Sequence, residues 1–276
     1  MVVNPHREEA AHAGDLVARE LEAEGIQVCR SFESDADEPI EAAIVLGGDG
    51  TILHAAALTH GTDIPLLGIN LGHVGFLAEA EREDVRTAVQ RLVAGDYTVE
   101  ERNTLEVLVK QTDGTTVGGW ALNEATVERD NLRRTVEIVL EVDGKPVSTF
   151  ACDGVVISTA TGSTAHAFSA GGPILWPDVD ALLFVPLAAH ALFARPLVVG
   201  PRSYFALEVT ERSESAAQVV LDGSRSIDVA RGGRVEVRRG RHPVKLARMS
   251  DAPFAERLVR KFSLPINGWR GPVQDG

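Results

Sequence analysis

Long apolar runs are missing from this 276-residue chain. No stretch approaches the roughly 20 residues that a membrane helix needs, so no spanning segment is expected. Positive charge is also scarce: 27 Lys and Arg stand against 40 Asp and Glu, a formal net charge of −13. That balance opposes general nucleic-acid binding, because phosphate backbones are held by basic surface. It leaves room for a nucleotide, which needs only a few local donors, and otherwise reads as solubility. There are only two cysteines, Cys29 and Cys152. They cannot build a disulfide framework, and neither sits in a metal-type pair. Met1-Val2-Val3-Asn4-Pro5 lacks the apolar stretch of a signal peptide, so nothing points to export. A reducing cytoplasm fits these absences.

What is present is ordinary soluble composition, 44% hydrophobic and 24% charged, with no internal repeat. The first part reads as alternating strands and helices. Val2-Val3 is a short strand; Ala10, Ala13, Val17 and Leu21 recur at helical spacing; Ile26 to Val28 is a weak second strand; Glu33 to Glu38 is an acidic loop. Ala42 to Leu46 is continuously apolar, as a strand covered on both faces should be. Ile52 to His60 then reads as helix, Pro65 to Ile69 as strand, and Glu83 to Ala94 as helix. This βαβ order implies a parallel sheet.

The period changes beyond residue 95. Leu105, Val107 and Val109 alternate with polar neighbours, as do Val136, Ile138, Leu140 and Val142, with Asp113-Gly114 and Asp143-Gly144 as turn dipeptides. Further strand-like runs are Val155–Ser158, Tyr204–Val209, Val219–Leu221, Val235–Val237 and Val244–Ala247. Helical spacing returns in Phe254, Leu258, Val259 and Phe262. The expected fold is an α/β domain with a parallel sheet over residues 1–95. A mainly β, sandwich-like domain follows over 96–250, and a return segment at 251–276 packs its helix back on the first domain.

The strongest local signal is Gly47-Gly48-Asp49-Gly50-Thr51, between an apolar strand and a helix. Glycines let the backbone approach a ligand closely, and the helix start offers unpaired amides and a positive dipole end that suit a phosphate. Asp49 is the oddity. A carboxylate among such amides makes electrostatic sense if it holds Mg²⁺ or accepts a hydroxyl proton. The segment lacks the Gly-Lys-Ser/Thr of a P-loop, and Leu53 stands where a G-x-G-x-x-G fingerprint needs glycine. A plain tight turn is the structural alternative.

A second cluster joins Asp153-Gly154 to Thr159-Ala160-Thr161-Gly162-Ser163-Thr164-Ala165-His166 and Ser169-Ala170-Gly171-Gly172-Pro173. Such density of hydroxyls and glycines supplies small donors for ribose or phosphate oxygens, or else makes a polar loop between sheets. Ser163 is not in a G-x-S-x-G elbow.

These two segments, with Leu71-Gly72-His73-Val74-Gly75-Phe76-Leu77 and Asn123-Glu124, stand in the order and spacing of NAD kinases. The resemblance runs from Asn4-Pro5 to Arg257–Phe262, and Leu175-Trp176-Pro177 and Gly268-Trp269-Arg270 resemble actinobacterial members in particular. It implies phosphoryl transfer from ATP with Mg²⁺, or from polyphosphate, to the 2′-hydroxyl of the adenosine ribose of NAD. It also implies an active site between the two domains and a homodimer or homotetramer. By the same resemblance Asp49 is the proton acceptor, Gly47, Gly48, Gly50 and Thr51 receive phosphate, and Asn123 and Glu124 hydrogen-bond NAD. Asp153, Thr161 and the run Thr164, Ala165, His166, Ala167, Phe168 and Ser169 frame adenine and ribose, partly across a subunit boundary. Phe76 is an apolar wall, and His54 and Arg134 match positions near the ligand.

The chain departs from the family pattern at Ala160, where proline is usual, at His166, where tyrosine is usual, and in its short first strand. His190 reads as a packed structural residue, the histidines at 6, 12, 60 and 242 as surface residues, and Arg231 to Arg241 as a solvated hairpin. Two other functions compete. A lipid kinase shares the glycine motif but not Asn123-Glu124; a non-catalytic dinucleotide sensor has no use for Asp49.

Overall fold

The computed structural model describes residues 1–4, 8–30, 39–72, 75–81 and 84–266. Pro5, His6, the Glu33–Glu38 loop, His73-Val74, Glu83 and Gly268-Trp269-Arg270 lie outside the described residues. The chain forms two compact units, Met1–Glu101 with Val244–Gly276, and Arg102–Pro243.

The first unit is α/β. Its sheet runs in the order β1 (Val2–Val3), β2 (Ala43–Leu46), β3 (Leu66–Ile69), β17 (Val244–Arg248), β4 (Thr98–Arg102). β1, β2, β3 and β17 are paired in parallel. On one face α1 (Glu8–Ala23) and α3 (Val85–Val93) bury Ala10, Ala13, Val17, Leu21, Val85, Ala88 and Val89 against Ile44, Leu46, Leu67 and Ile69. α2 (Asp49–Thr59) buries Ile52, Ala55 and Ala56, so β2 and β3 are covered along their whole length. That explains their uninterrupted apolar sequence.

The second unit holds two six-stranded antiparallel sheets. One runs β6 (Thr116–Ala121), β5 (Leu105–Lys110), β16 (Arg234–Arg239), β13 (Tyr204–Val209), β8 (Val136–Val142), β9 (Lys145–Cys152). The other runs β12 (Leu197–Val199), β11 (Leu182–Leu187), β10 (Gly154–Ser158), β7 (Glu124–Arg129), β14 (Ala217–Leu221), β15 (Arg225–Val229). Alternate residues of both sheets, among them Val107, Ile138, Leu207 and Val237 and, opposite, Val127, Ile157, Phe184 and Val219, make one core. Asp143 and Gly144, at φ +51° and +72°, form the two-residue turn joining β8 to β9, the backbone that strand twist demands there. A short helix, α4 (His166–Ser169), covers the outer face of β10 and β11, where Ala167 packs on Val156, Leu183 and Val185.

Four sequence readings change. Ile26 to Val28 is not a strand; Val28 packs at the margin of the first core without a ladder. Val244–Ala247, grouped by its period with the β-rich region, is a parallel strand of the first sheet. Arg231–Arg241 is no solvated hairpin: β16 is a central strand with Val235 and Val237 buried. On its other face Arg234 pairs with Glu141 at 2.6 Å and Arg238 with Glu106 at 2.8 Å. His190 is exposed, and its backbone amide is held by Ala151 O at 2.8 Å. Ala189 and Ala191 on either side pack against the second-unit core, which leaves the imidazole between them outside it. The tail returns as β17 and α5 (Phe254–Phe262), both in the first unit. Among the described residues no helix is long and apolar enough to cross a membrane.

Candidate functional site

Gly47 and Gly48 make the whole crossover from β2 to α2. A Cβ at Gly47 would collide with Thr51 Oγ1, so only glycine allows this approach. Gly48 is the N-cap and has no side chain to cap with. The amides of Asp49 and Gly50 therefore have no intrahelical acceptor, and they sit at the positive end of the helix dipole. Gly50 is exposed and Thr51 half-buried. His54, more than a turn further along α2, is exposed.

The Asp49 carboxylate reaches across to the segment after β3. Its Oδ2 accepts the Phe76 amide and its Oδ1 the Leu77 amide, both at 3.1 Å. Gly75 lies so close that a Cβ there would strike the carboxylate. The Phe76 ring is buried beside Phe254 and Phe262 of α5, at centroid distances of 5.7 and 5.9 Å.

In the second unit Asn123 stands just before β7 and Glu124 opens it, and the backbone there is fastened from two sides. From the turn after β14 comes Asp222, whose carboxylate accepts the amides of Leu122 at 2.9 Å and Asn123 at 2.7 Å, and the Arg225 guanidinium at 2.9 Å. Arg225 in turn lies over the Trp120 ring, 4.7 Å from its centroid. From β10 the Ser158 hydroxyl donates to Asn123 O at 3.2 Å and the Thr159 hydroxyl to Leu122 O at 2.7 Å. A Cβ at Gly162 would collide with Asn123 O. The side chains are left open by contrast. Asn123 Oδ1 and Glu124 Oε2 are buried with no hydrogen-bond partner among the described residues. Burial and the neighbouring Asp222 carboxylate push the Glu124 carboxyl up to about 7, against the opposing His166 amide. Burial likewise raises Asp222, although the Leu122 and Asn123 amides and Arg225 oppose it.

The Thr159–Ser169 block mixes scaffold and surface. Ser163 is buried and structural, donating to Ala160 O at 2.6 Å and accepting the Leu175 amide at 2.9 Å. Thr161 is buried in a 3-10 turn, and Thr164 donates to its carbonyl at 3.2 Å. Ala165 links that turn to α4, with φ −106° and ψ −123°. Ala167 is a core residue, whereas His166, Phe168 and Ser169 are exposed. Arg134 and Asp153 lie elsewhere. Arg134 is exposed and pairs with Glu214 at 3.4 Å. Asp153 pairs at 2.8 Å with Arg129, at the far end of β7 from Glu124, roughly 17 Å along the strand.

Sequence reasoning missed Asp222 and Ser158, and read Thr159 only as one of a cluster of ligand donors, whereas its hydroxyl holds the Leu122 carbonyl. Asp222-Gly223 follows the strand-like run Val219–Leu221 and carries the same turn signal as Asp143-Gly144. Nothing local tells that its carboxylate serves residues 99 and 100 positions away.

Comparison with known proteins gives the family. Residues 3–97 match the ATP-NAD kinase N-terminal domain and residues 122–249 the ATP-NAD kinase C-terminal domain. The NAD kinase of Leifsonia xyli is 56% identical over 94% of this chain and 84% of its own. That of Corynebacterium diphtheriae is 54% identical over 88% of this chain and 76% of its own. Among solved structures, an NAD kinase from Archaeoglobus fulgidus in complex with ATP superposes with a TM-score of 0.74 at 25% identity, covering 91% of this chain and 95% of that one. Yeast NADH kinase complexed with NADH gives 0.84 at 21% identity over 95% and 86%, a likeness of fold.

Proposed function

The chain belongs to the NAD kinase family and phosphorylates NAD to NADP, and from that premise we propose which of its groups perform the transfer. ATP, the ligand of the archaeal relative, is the donor and enters as its Mg²⁺ complex. Mg²⁺ carried with the nucleotide would neutralise phosphate oxygens, since the described residues offer no cluster of three or more ligand side chains for a resident ion. The Gly47–Thr51 turn receives the terminal phosphates on the first-turn amides of α2. Asp49 takes the proton of the ribose 2′-hydroxyl. That oxygen bonds to the γ-phosphorus, the bond to the β,γ-bridging oxygen breaks, and ADP leaves. Both Asp49 oxygens keep a free lone pair beside the amides they already accept, so the carboxylate is oriented without being consumed. General-base help of this kind contributes about 10²–10⁴-fold.

The observation that carries the acceptor side is the pair of unpartnered oxygens, Asn123 Oδ1 and Glu124 Oε2. A buried acceptor without a donor costs about 1–3 kcal/mol, a cost that ribose hydroxyls or an adenine amino group would offset. Thr161, Thr164 and the exposed His166, Phe168 and Ser169 line the approach to them. Arg134 and Asp153, at the other end of β7, serve the ligand of a second copy in a homo-oligomer, for which exposed Leu192 and Phe193 beside edge strand β12 supply apolar surface. A chain with only two cysteines, Cys29 and Cys152, suits a cytoplasmic setting. The test supplies purified protein with NAD and either ATP-Mg²⁺ or polyphosphate and measures NADP. NADP formed from polyphosphate alone would refute ATP as donor.

A further inference from the structure

We propose that Arg257 of the tail helix, through Glu79, is a positioning residue for phosphoryl transfer: it holds the Phe76–Leu77 turn whose amides orient Asp49. The proposal rests on Asp49 as proton acceptor. Glu79 has a side chain only 1% exposed and gathers four donors. Arg248 Nη1 stands at 3.1 Å, Arg257 Nη2 at 2.7 Å, and the amides of Met249 and Ser250 at 2.9 and 2.7 Å. A buried carboxylate is tolerable only when so fully partnered. The other nitrogen of Arg257, Nη1, donates to Ala78 O at 2.6 Å. One guanidinium thus forks onto two consecutive residues immediately after Phe76 and Leu77, a rigid geometry that lysine cannot copy.

α5 contributes no buried residue of its own, and nine residues are too few for a helix to stand alone in water. Among the described residues it meets this turn through the Arg257 fork, the Phe254 and Phe262 rings around Phe76, and an exposed Arg260–Glu81 pair at 3.2 Å. On the other side the same turn grips Asp49, and the space over Gly75 is filled by the carboxylate. A displaced turn therefore moves Asp49 with it. Misplacement by about 1 Å can cost on the order of 10²-fold in rate.

The experiment compares Arg257→Ala and Arg257→Lys with Arg260→Ala, which breaks only the exposed pair. Two quantities are read: amide hydrogen exchange at Phe76 and Leu77, and steady-state kinetics with NAD and ATP-Mg²⁺. Arg257→Ala is expected to speed both amides about tenfold or more and to lower kcat about tenfold, with the KM for NAD within about threefold. Arg257→Lys, which keeps the charge without the fork and stays informative if the alanine variant fails to fold, recovers part of both losses. Arg260→Ala changes neither. Unchanged exchange in Arg257→Ala overturns the proposal and leaves the role of Asp49 standing. Faster exchange with undiminished kcat overturns it together with that role.

Discussion

Both oxygens of Asp49 accept backbone amides, whereas Asn123 Oδ1 and Glu124 Oε2 lie buried with no donor among the described residues. The two motifs thus solve opposite problems. In the first unit the side chain is satisfied and the helix-start amides are left for a ligand. In the second, the backbone is tied down by Asp222, Ser158 and Thr159 while the side chains are left open. An anionic ligand group suits the first arrangement, and a hydroxyl or amine donor the second. A nucleoside phosphate donor and a ribose acceptor supply these two chemistries.

The comparison breaks most severely at Asp222. Asp222→Ala leaves two buried amides and the Arg225 guanidinium without their acceptor. Each buried amide left without its acceptor costs about 1–3 kcal/mol, and the Arg225 side chain, 32% exposed, adds little to that. Urea unfolding should show that loss, against less than about 1 kcal/mol for Arg134→Ala, whose pair with Glu214 is exposed. Equal, small losses in both variants would mean that the Asn123 backbone is held by Ser158 and Thr159 alone.

At Asp49 the expected effect is next in size and falls on two readouts. Asp49→Asn removes the proposed proton acceptor and should lower kcat about 10²-fold or more. An amide also offers one carbonyl where the carboxylate offers two acceptors, so one of the Phe76 and Leu77 amides meets an NH₂ group. A stability loss of about 1–2 kcal/mol should accompany the kinetic loss. The sequence alone suggested a purely chemical role for this residue; its contacts show that it also holds a turn. Near-normal turnover in Asp49→Asn would remove it from the chemistry.

These residues also mark what the sequence disclosed. The glycine turn was legible because glycine spacing, an apolar strand and a helix onset are all local. The same holds for the alternation of Leu105, Val107 and Val109, which fixed the β character of the second unit. Asn123-Glu124 has no local signature and was found only through family resemblance. Asp222 and Glu79 escaped because their partners lie about 100 and 170 or more residues away. β17 was misgrouped because period 2 identifies a strand, not the sheet it joins. The arginines of β16 suggested solvent because they occupy its outer face, while alternate valines hold it at the sheet's centre.

The smallest expected effect sharpens the second half of the comparison through pH. Burial and the Asp222 charge raise the Glu124 carboxyl in the folded protein to about 7 from 4.5. The folded state therefore holds a proton more tightly than the unfolded chain does. The stability this proton contributes is complete below the unfolded value and is lost as pH rises through about 7. Between pH 6 and 8 the loss is about 1 kcal/mol. Asp222, also raised, adds a term of the same sign that persists when Glu124 is replaced. Thermal or urea unfolding of wild type and Glu124→Gln at the two pH values should show the wild type losing about 1 kcal/mol more than the variant across the interval. Binding should run the other way, since an ionised Glu124 accepts a hydroxyl of NAD more strongly than a protonated one. The KM for NAD should fall from pH 6 to 8 in the wild type and stay flat in Glu124→Gln. Parallel stability curves would mean that Glu124 is already ionised at pH 6, and parallel KM profiles that its carboxylate does not meet the dinucleotide.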